Sequence, residues 1–163
     1  MKIDKRRRRE NKTDYQTRME LLKSGKARVV VRKTNKYIII QYVKSDEALD
    51  KVIIGISSKD LLKHGWDKTT SGSLKSIPAC YLTGYYIGKK INEKEKGKHL
   101  VFDMGMARNI KAGRIYSALK GLIDAGVKIN HSEEIFPSNE KIEGKHLNKN
   151  VQKSIETTKL KLK

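Results

Sequence analysis

The sequence has a single cysteine, Cys80, which rules out an intrachain disulfide and any cysteine-rich metal site. No apolar run approaches the length needed to span a bilayer. The basic N-terminus leads into no apolar stretch, so it does not read as a signal peptide. A soluble, intracellular (cytoplasmic) protein is the default expectation. Aromatic residues make up only 6%. No Trp- or Phe-rich amphipathic segment accompanies the charge, which argues against a membrane surface as partner.

The usual marks of catalysis are missing as well. The four histidines, His64, His99, His131 and His146, stand at no metal-ligand spacing with one another or with Cys80, and each reads as a surface or loop residue. Neither Gly-x-Ser-x-Gly nor the phosphate-binding Gly-x-x-x-x-Gly-Lys-Ser/Thr occurs. A two-metal nuclease needs converging carboxylates. Asp60, Asp103, Asp124 and Glu133 are scattered, and only Asp103, at the end of an expected buried strand, is suggestively placed. The better reading for it is a loop carboxylate accepting from nearby backbone N–H groups. No cofactor and no metal are expected.

Charge is what the chain has in excess: 37 Lys plus Arg against 18 Asp plus Glu, net +19 in 163 residues. A surplus of that size opposes compaction and favours a polyanionic partner, nucleic acid above all. It is unevenly spread. Residues 1–36 carry 14 basic and 4 acidic residues, net +10; residues 37–140 carry 16 and 12, net +4; residues 141–163 carry 7 and 2, net +5. At 37% hydrophobic the middle can bury a core. The expected organisation is a basic arm over 1–12, unstructured when free, one α/β domain over 13–146, and a lysine-rich tail over 147–163.

A helix follows the arm, with Thr13 as its cap, Gln16 completing a capping box, and Tyr15, Met19 and Leu22 as its apolar stripe. Three β-branched runs, 27–33, 37–44 and 51–57, read as strands. The connections between them are short, which implies an antiparallel meander; in the first, Asn35 is able to take positive φ. Residues 58–64 read as a short helix stopped by Gly65, and 66–75 as a polar, flexible loop. Ser76 caps a longer helix whose apolar face is Ile77, Cys80, Tyr81, Gly84, Ile87, Gly88 and Ile91. Gly84 and Gly88 on that face predict close packing on the sheet rather than a membrane contact. A short strand at 100–102, a loop carrying Arg108 and Lys111, a helix over 113–125, a short strand at 127–129 and a helix capped by Ser138 complete the body. The fold class is a mixed α/β sheet with helices packed on it.

The basic residues carry the functional signal. Lys5-Arg6-Arg7-Arg8-Arg9 cannot sit in a core, because adjacent cations repel and lose hydration. Arg28, Arg32, Lys33 and Lys36 flank the first hairpin turn. Arginine grips phosphate bidentately and stacks on bases, so an arginine-rich arm favours RNA. Tyr15, Tyr37 and Tyr42 are candidate stacking platforms. Lys111 with Gly113-Arg114 at a helix start is a candidate phosphate site. The competing readings are a metal-dependent nuclease on a similar sheet and a nonspecific nucleic-acid coater.

Four collinear stretches sharpen this: Arg6-Arg7-Arg8-Arg9-Glu10-Asn11-Lys12-Thr13-Asp14-Tyr15; Val30-Val31-Arg32-Lys33-Thr34-Asn35-Lys36; Ile77-Pro78-Ala79-Cys80-Tyr81-Leu82-Thr83-Gly84; and Gly113-Arg114-Ile115-Tyr116-Ser117-Ala118-Leu119-Lys120-Gly121-Leu122-Ile123-Asp124-Ala125-Gly126. Over roughly residues 5–147 the chain resembles the universal large-subunit ribosomal protein eighteen family, protein five in eukaryotes, in its archaeal form. The resemblance implies a non-enzymatic constituent of the large ribosomal subunit that binds 5S ribosomal RNA in the central protuberance. It also implies contacts with the large ribosomal RNA and neighbouring ribosomal proteins. Carried onto this chain, the implied RNA contacts are Arg6, Arg7, Arg8, Arg9, Lys12, Tyr15, Arg18, Arg32, Lys33, Asn35 and Lys36, with Lys68, Thr69, Ser71, Lys111 and Arg114 as additions; Arg28 joins them from the charge pattern. The loop over 103–110 departs from the family pattern, which leaves its contacts open, and the lysine-rich tail either binds RNA or stays loose.

Overall fold

The structure, a computed structural model, describes residues 3–47, 49–95 and 97–162. Its centre is a five-stranded sheet in the order β3-β2-β1-β4-β5. β1 (Arg28–Lys33), β2 (Ile38–Asp46) and β3 (Leu49–Ser57) form the expected antiparallel meander. β4 (His99–Asp103) runs parallel to β1, and β5 (Lys128–Ile129) parallel to β4. Each parallel step needs a crossover, and two helices supply them: α3 (Ile77–Lys94) before β4 and α4 (Arg114–Asp124) before β5. Alternation along the strands puts Val29 and Val31 of β1 and Ile38, Ile40 and Tyr42 of β2 into the core against Cys80, Ile87, Ile91, Ala118, Leu119 and Leu122. Arg28, Val30 and Arg32 therefore share the opposite face.

Ser76 caps α3 as expected, its hydroxyl accepting from the Ala79 N–H. The glycines of α3 do approach a neighbour closely, but it is α4 rather than the sheet. A Cβ on Gly84 would stand 2.1 Å from the Ala118 carbonyl oxygen, one on Gly88 2.6 Å from the Ala125 Cβ, and one on Gly121 2.1 Å from the Tyr81 carbonyl oxygen. Periodicity identifies part of the buried face, Cys80, Gly84, Ile87, Gly88 and Ile91; it misses the buried Ala79, Leu82 and Thr83, and it does not identify what the face meets. Gly84→Ala puts a methyl into backbone, which no rotamer change relieves, so it is expected to destabilise the fold by about 3 kcal/mol. Urea denaturation read by circular dichroism checks this.

Three expectations at the periphery are corrected. The arm is not wholly irregular: Arg6–Arg9 form one helical turn, α1, with none of its residues buried. The 66–75 stretch is not a flexible loop. Trp66 and Leu74 are buried, and Lys68–Ser73 form a 3-10 helix between them. The tail contains a fourteen-residue helix, α6 (Lys149–Leu162), after a short α5 (Asn139–Glu143). Val151, Ile155 and Leu162 of α6 join Leu61, Trp66, Leu74, Ala79 and Leu82 in a second apolar cluster. The buried stripe of α6 also contains Ser154 and Thr158. Their hydroxyls donate to the Asn150 and Ser154 carbonyls at 3.0 and 2.7 Å, satisfied within the helix. Hydroxyl residues at core positions hide a buried face from any count of apolar side chains.

Candidate nucleic-acid interface

The arm is held by local pairing. Arg6 bridges to Glu10 at 3.4 Å, Lys12 to the same Glu10 at 2.8 Å, and Arg7 Nε donates to Thr13 Oγ1 at 2.9 Å. Lys5 lies over the Tyr15 ring, 4.7 Å from its centroid. Arg8 reaches the Asp14 carboxylate at 3.6 Å and, across 98 residues of sequence, donates to the Met106 sulfur at 3.6 Å. These are exposed pairs of little net worth in water. The four arginines stay on the surface, where a phosphate can replace a carboxylate partner.

α2 (Tyr15–Lys23) is capped by Asp14 rather than Thr13, whose hydroxyl is taken by Arg7. The Asp14 carboxylate accepts from the Gln16 N–H at 3.2 Å and the Thr17 hydroxyl at 3.2 Å. Lost hydration raises its pKa, but these bonds and the Arg8 guanidinium outweigh that and hold it below the ordinary carboxylate value. The expected stripe is not buried: Tyr15 is 37% and Met19 57% exposed. α2 is tied to the body through Arg18, which bridges to Asp50 at 3.0 Å.

Arg28 is the clearest correction among the expected RNA contacts. Only 2% of it is exposed. Its guanidinium donates to Asp50 Oδ1 at 2.6 Å and to Ser45 Oγ at 2.9 Å, and it lies 3.6 Å from the Asp103 carboxylate. It pins β1 to the β2–β3 hairpin and to β4, and its burial leaves little surface for the RNA contact expected of it. Asp50, between Arg18 and Arg28, is held below its ordinary pKa: desolvation opposes this, and the Ser45 hydroxyl and the two guanidinium groups prevail. Asp103 accepts from the Gly105 N–H at 2.8 Å and from Arg32 at 3.1 Å, the structural role favoured for it over metal ligation. Tyr42 is also withdrawn from RNA, being fully buried with its hydroxyl donating to Glu95 at 2.6 Å. Tyr37 packs against the second apolar cluster.

The first hairpin turn presents Lys33, Asn35 and Lys36 to solvent. It is closed by the Thr34 N–H donating to the Tyr37 carbonyl at 2.8 Å and the Tyr37 N–H donating to Thr34 Oγ1 at 2.9 Å. Asn35 does not take positive φ; among the described non-glycine residues Asn11, Glu47 and Ala112 do. Arg32 is half committed: its guanidinium donates to the Val31 and Asp103 carbonyls and to the Asp103 carboxylate, yet its side chain is 44% exposed. Reversing its charge would set a carboxylate against Asp103, so Lys33 alone is the clean probe of this turn.

A groove of about 900 Å³ collects several of these residues. Lys12 from the arm, Arg32 and Lys33 from β1, and Arg114 from the start of α4 line it, together with Arg108 and His146. Among the described residues its lining contains five Lys or Arg and no Asp or Glu. Lys111 stands outside the lining, exposed and 3.9 Å from Glu134. Lys68, Thr69 and Ser71 are exposed on their 3-10 helix and do not line the groove either. Arg108, His146 and the paired methionines Met104 and Met106 were not among the expected contacts. The Met-x-Met spacing in a basic loop could have hinted at the methionines; no local signal marks His146. Among the described residues no three His, Cys, Asp or Glu side chains group as metal ligands.

The chain's similarity to known proteins agrees with this surface. The family model described as "Ribosomal large subunit proteins 60S L5, and 50S L18" matches residues 1–101. The "Large ribosomal subunit protein uL18" of Korarchaeum cryptofilum is 44% identical over 146 residues, 90% of this chain and 72% of that protein. Its namesake in Aeropyrum pernix is 41% identical over 147 residues, 90% of this chain and 66% of that protein. The one in Methanothrix thermoacetophila is 41% identical over 139 residues, 85% and 79% respectively. With such a match over most of its length, the chain belongs to this family of large-subunit ribosomal proteins, structural constituents of the ribosome and not enzymes.

Proposed function

We propose that the chain binds 5S ribosomal RNA and helps attach it to the large ribosomal RNA in the central protuberance, beside neighbouring large-subunit proteins. The observation that carries RNA binding is the convergence at one groove of cations from four separate stretches of chain, with no carboxylate among the described lining residues. Cations alone attract any polyanion. The choice of 5S RNA comes from the family resemblance of the four collinear motifs. In this reading the arm supplies affinity through phosphates, while the groove and the Lys33–Lys36 turn supply register on the RNA. The large ribosomal RNA takes the remaining exposed cations.

The test is retention on the purified protein. Stoichiometric, salt-sensitive retention of intact 5S RNA, preferred over other structured RNA at matched salt, is the expected result. Equal retention of unrelated structured RNA would make the chain a nonspecific coater, and magnesium-dependent degradation would make it a nuclease.

A further inference from the structure

The groove has an apolar floor that phosphate binding does not require. Met104, Ile115 and Tyr116 line it together with its five cations. Ile115 and Tyr116 are each 8% exposed, while Met106 and Ile110, which also line it, are 38% and 56% exposed. The Tyr116 ring is fixed, its hydroxyl donating to Asn109 Oδ1 at 2.6 Å and lying 3.9 Å from the Met104 sulfur. The groove is thus a pit of thioether, aliphatic and aromatic surface bordered by positive charge.

RNA in a duplex makes use of only the charged half of that description. Phosphates on a helix need only cations, and stacked bases offer no flat apolar face to a protein pit. A phosphate-linked base that has left its stack matches both halves: a π-face for the sulfur and aliphatic floor, and an anion for the rim. Its size is right, since about 900 Å³ falls within the range of small-molecule sites, roughly 300–1,000 Å³. The side of the pit toward the arm is also formed. Asn11 sits in the left-handed region at φ 51°, and Arg8 contacts Met106, so arm and loop meet there.

We propose that this groove receives the base of one unpaired nucleotide of ribosomal RNA, with Met104, Met106 and Ile110 against the base and Lys12, Lys33 and Arg114 toward its phosphates. The proposal rests on the RNA-binding reading above but not on the identity of the RNA, and its test keeps the two apart.

The test uses the methionines as reporters. The chain has four, of which Met104 and Met106 lie in the groove and Met19 stands exposed on α2. With their methyl groups labelled for NMR, the full-length protein is titrated with a short mixed-sequence single-stranded oligoribonucleotide. Parallel titrations use its abasic counterpart and inorganic phosphate, and saturation is followed by fluorescence anisotropy of the labelled strand. Upfield ring-current shifts at Met104 and Met106, absent with the abasic strand and with phosphate and not shared by Met19, are the expected result. Saturation without those shifts, or equal shifts with phosphate, overturns the proposal whatever the preference for 5S RNA proves to be. A second measurement uses the variant M106A/I110A, two exposed positions. Its affinity for the oligoribonucleotide should fall about tenfold or more with the log–log salt slope unchanged, because stacking releases no counterions. Unchanged affinity, or a loss that appears wholly as a lower slope, also overturns it.

Discussion

Deleting residues 1–9 flattens the salt dependence of RNA binding by about three units of log–log slope. The arm presents Arg6, Arg7, Arg8 and Arg9 on an unburied helical turn. Each phosphate that such a residue neutralises contributes ~0.7–0.9 to the slope. Four contacts therefore account for about a hundredfold of affinity between roughly 50 and 200 mM salt, and the deletion removes that sensitivity. The body should be untouched. None of residues 3–12 is buried, and the Asp14 cap of α2 lies beyond the cut. Filter binding of 5S RNA across a salt series, beside a thermal melt of the truncated protein, reads both quantities. A slope equal to that of the full chain would take the arm out of the interface.

Arg28→Ala has the opposite signature: a large loss of stability and no change of slope. Removing one partner from a buried charge network typically costs about 3–5 kcal/mol, because the remaining charges are left uncompensated. Here Asp103, with 9% of its side chain exposed, loses one of two guanidinium partners, and Asp50 loses its 2.6 Å bond. Asp103 keeps Arg32 and the Gly105 N–H, and Asp50 keeps Arg18 and Ser45, which places the cost nearer about 3 kcal/mol than 5. For a chain of this size that is a melting temperature lower by about 10 °C. The network also leaves Arg28 Nε buried without a hydrogen-bond partner, so the guanidinium is committed through its two terminal nitrogens alone. Measured below its melting point, the variant should bind 5S RNA with the wild-type salt slope. A slope lower by ~0.7–0.9 would mean that Arg28 does touch phosphate.

Arg28 and Arg32 show why a site is only partly legible in a sequence. They stand four residues apart on one strand, so they share a face, and both border the same basic hairpin. One is buried and structural, while the other keeps 44% of its side chain exposed at the groove. The difference is made by Asp50 and Asp103, which reach the two guanidinium groups from β3 and β4. No local pattern announces which acid will meet which base. The same limit explains the groove. Its walls come from the arm, β1, the loop after β4, the start of α4 and the segment before α6, and their approach exists only once the crossovers have closed.

The sequence by itself determined the classes. β-branched runs with short connections dictated a meander, 3.6-residue periodicity dictated α3 and α4 and one buried stripe of each, and clustered arginine dictated a polyanionic partner. These are local consequences of backbone sterics, side-chain period and charge repulsion, and they need no knowledge of neighbours. The tertiary structure decided the pairings: that Gly84 and Gly88 meet α4 instead of the sheet, that α6 docks through Val151, Ile155 and Leu162 instead of trailing as a tail, and that five cations border an apolar pit whose described lining holds no carboxylate. Pairing energies depend on which distant groups arrive within a few ångströms, and separation along the chain carries no such information.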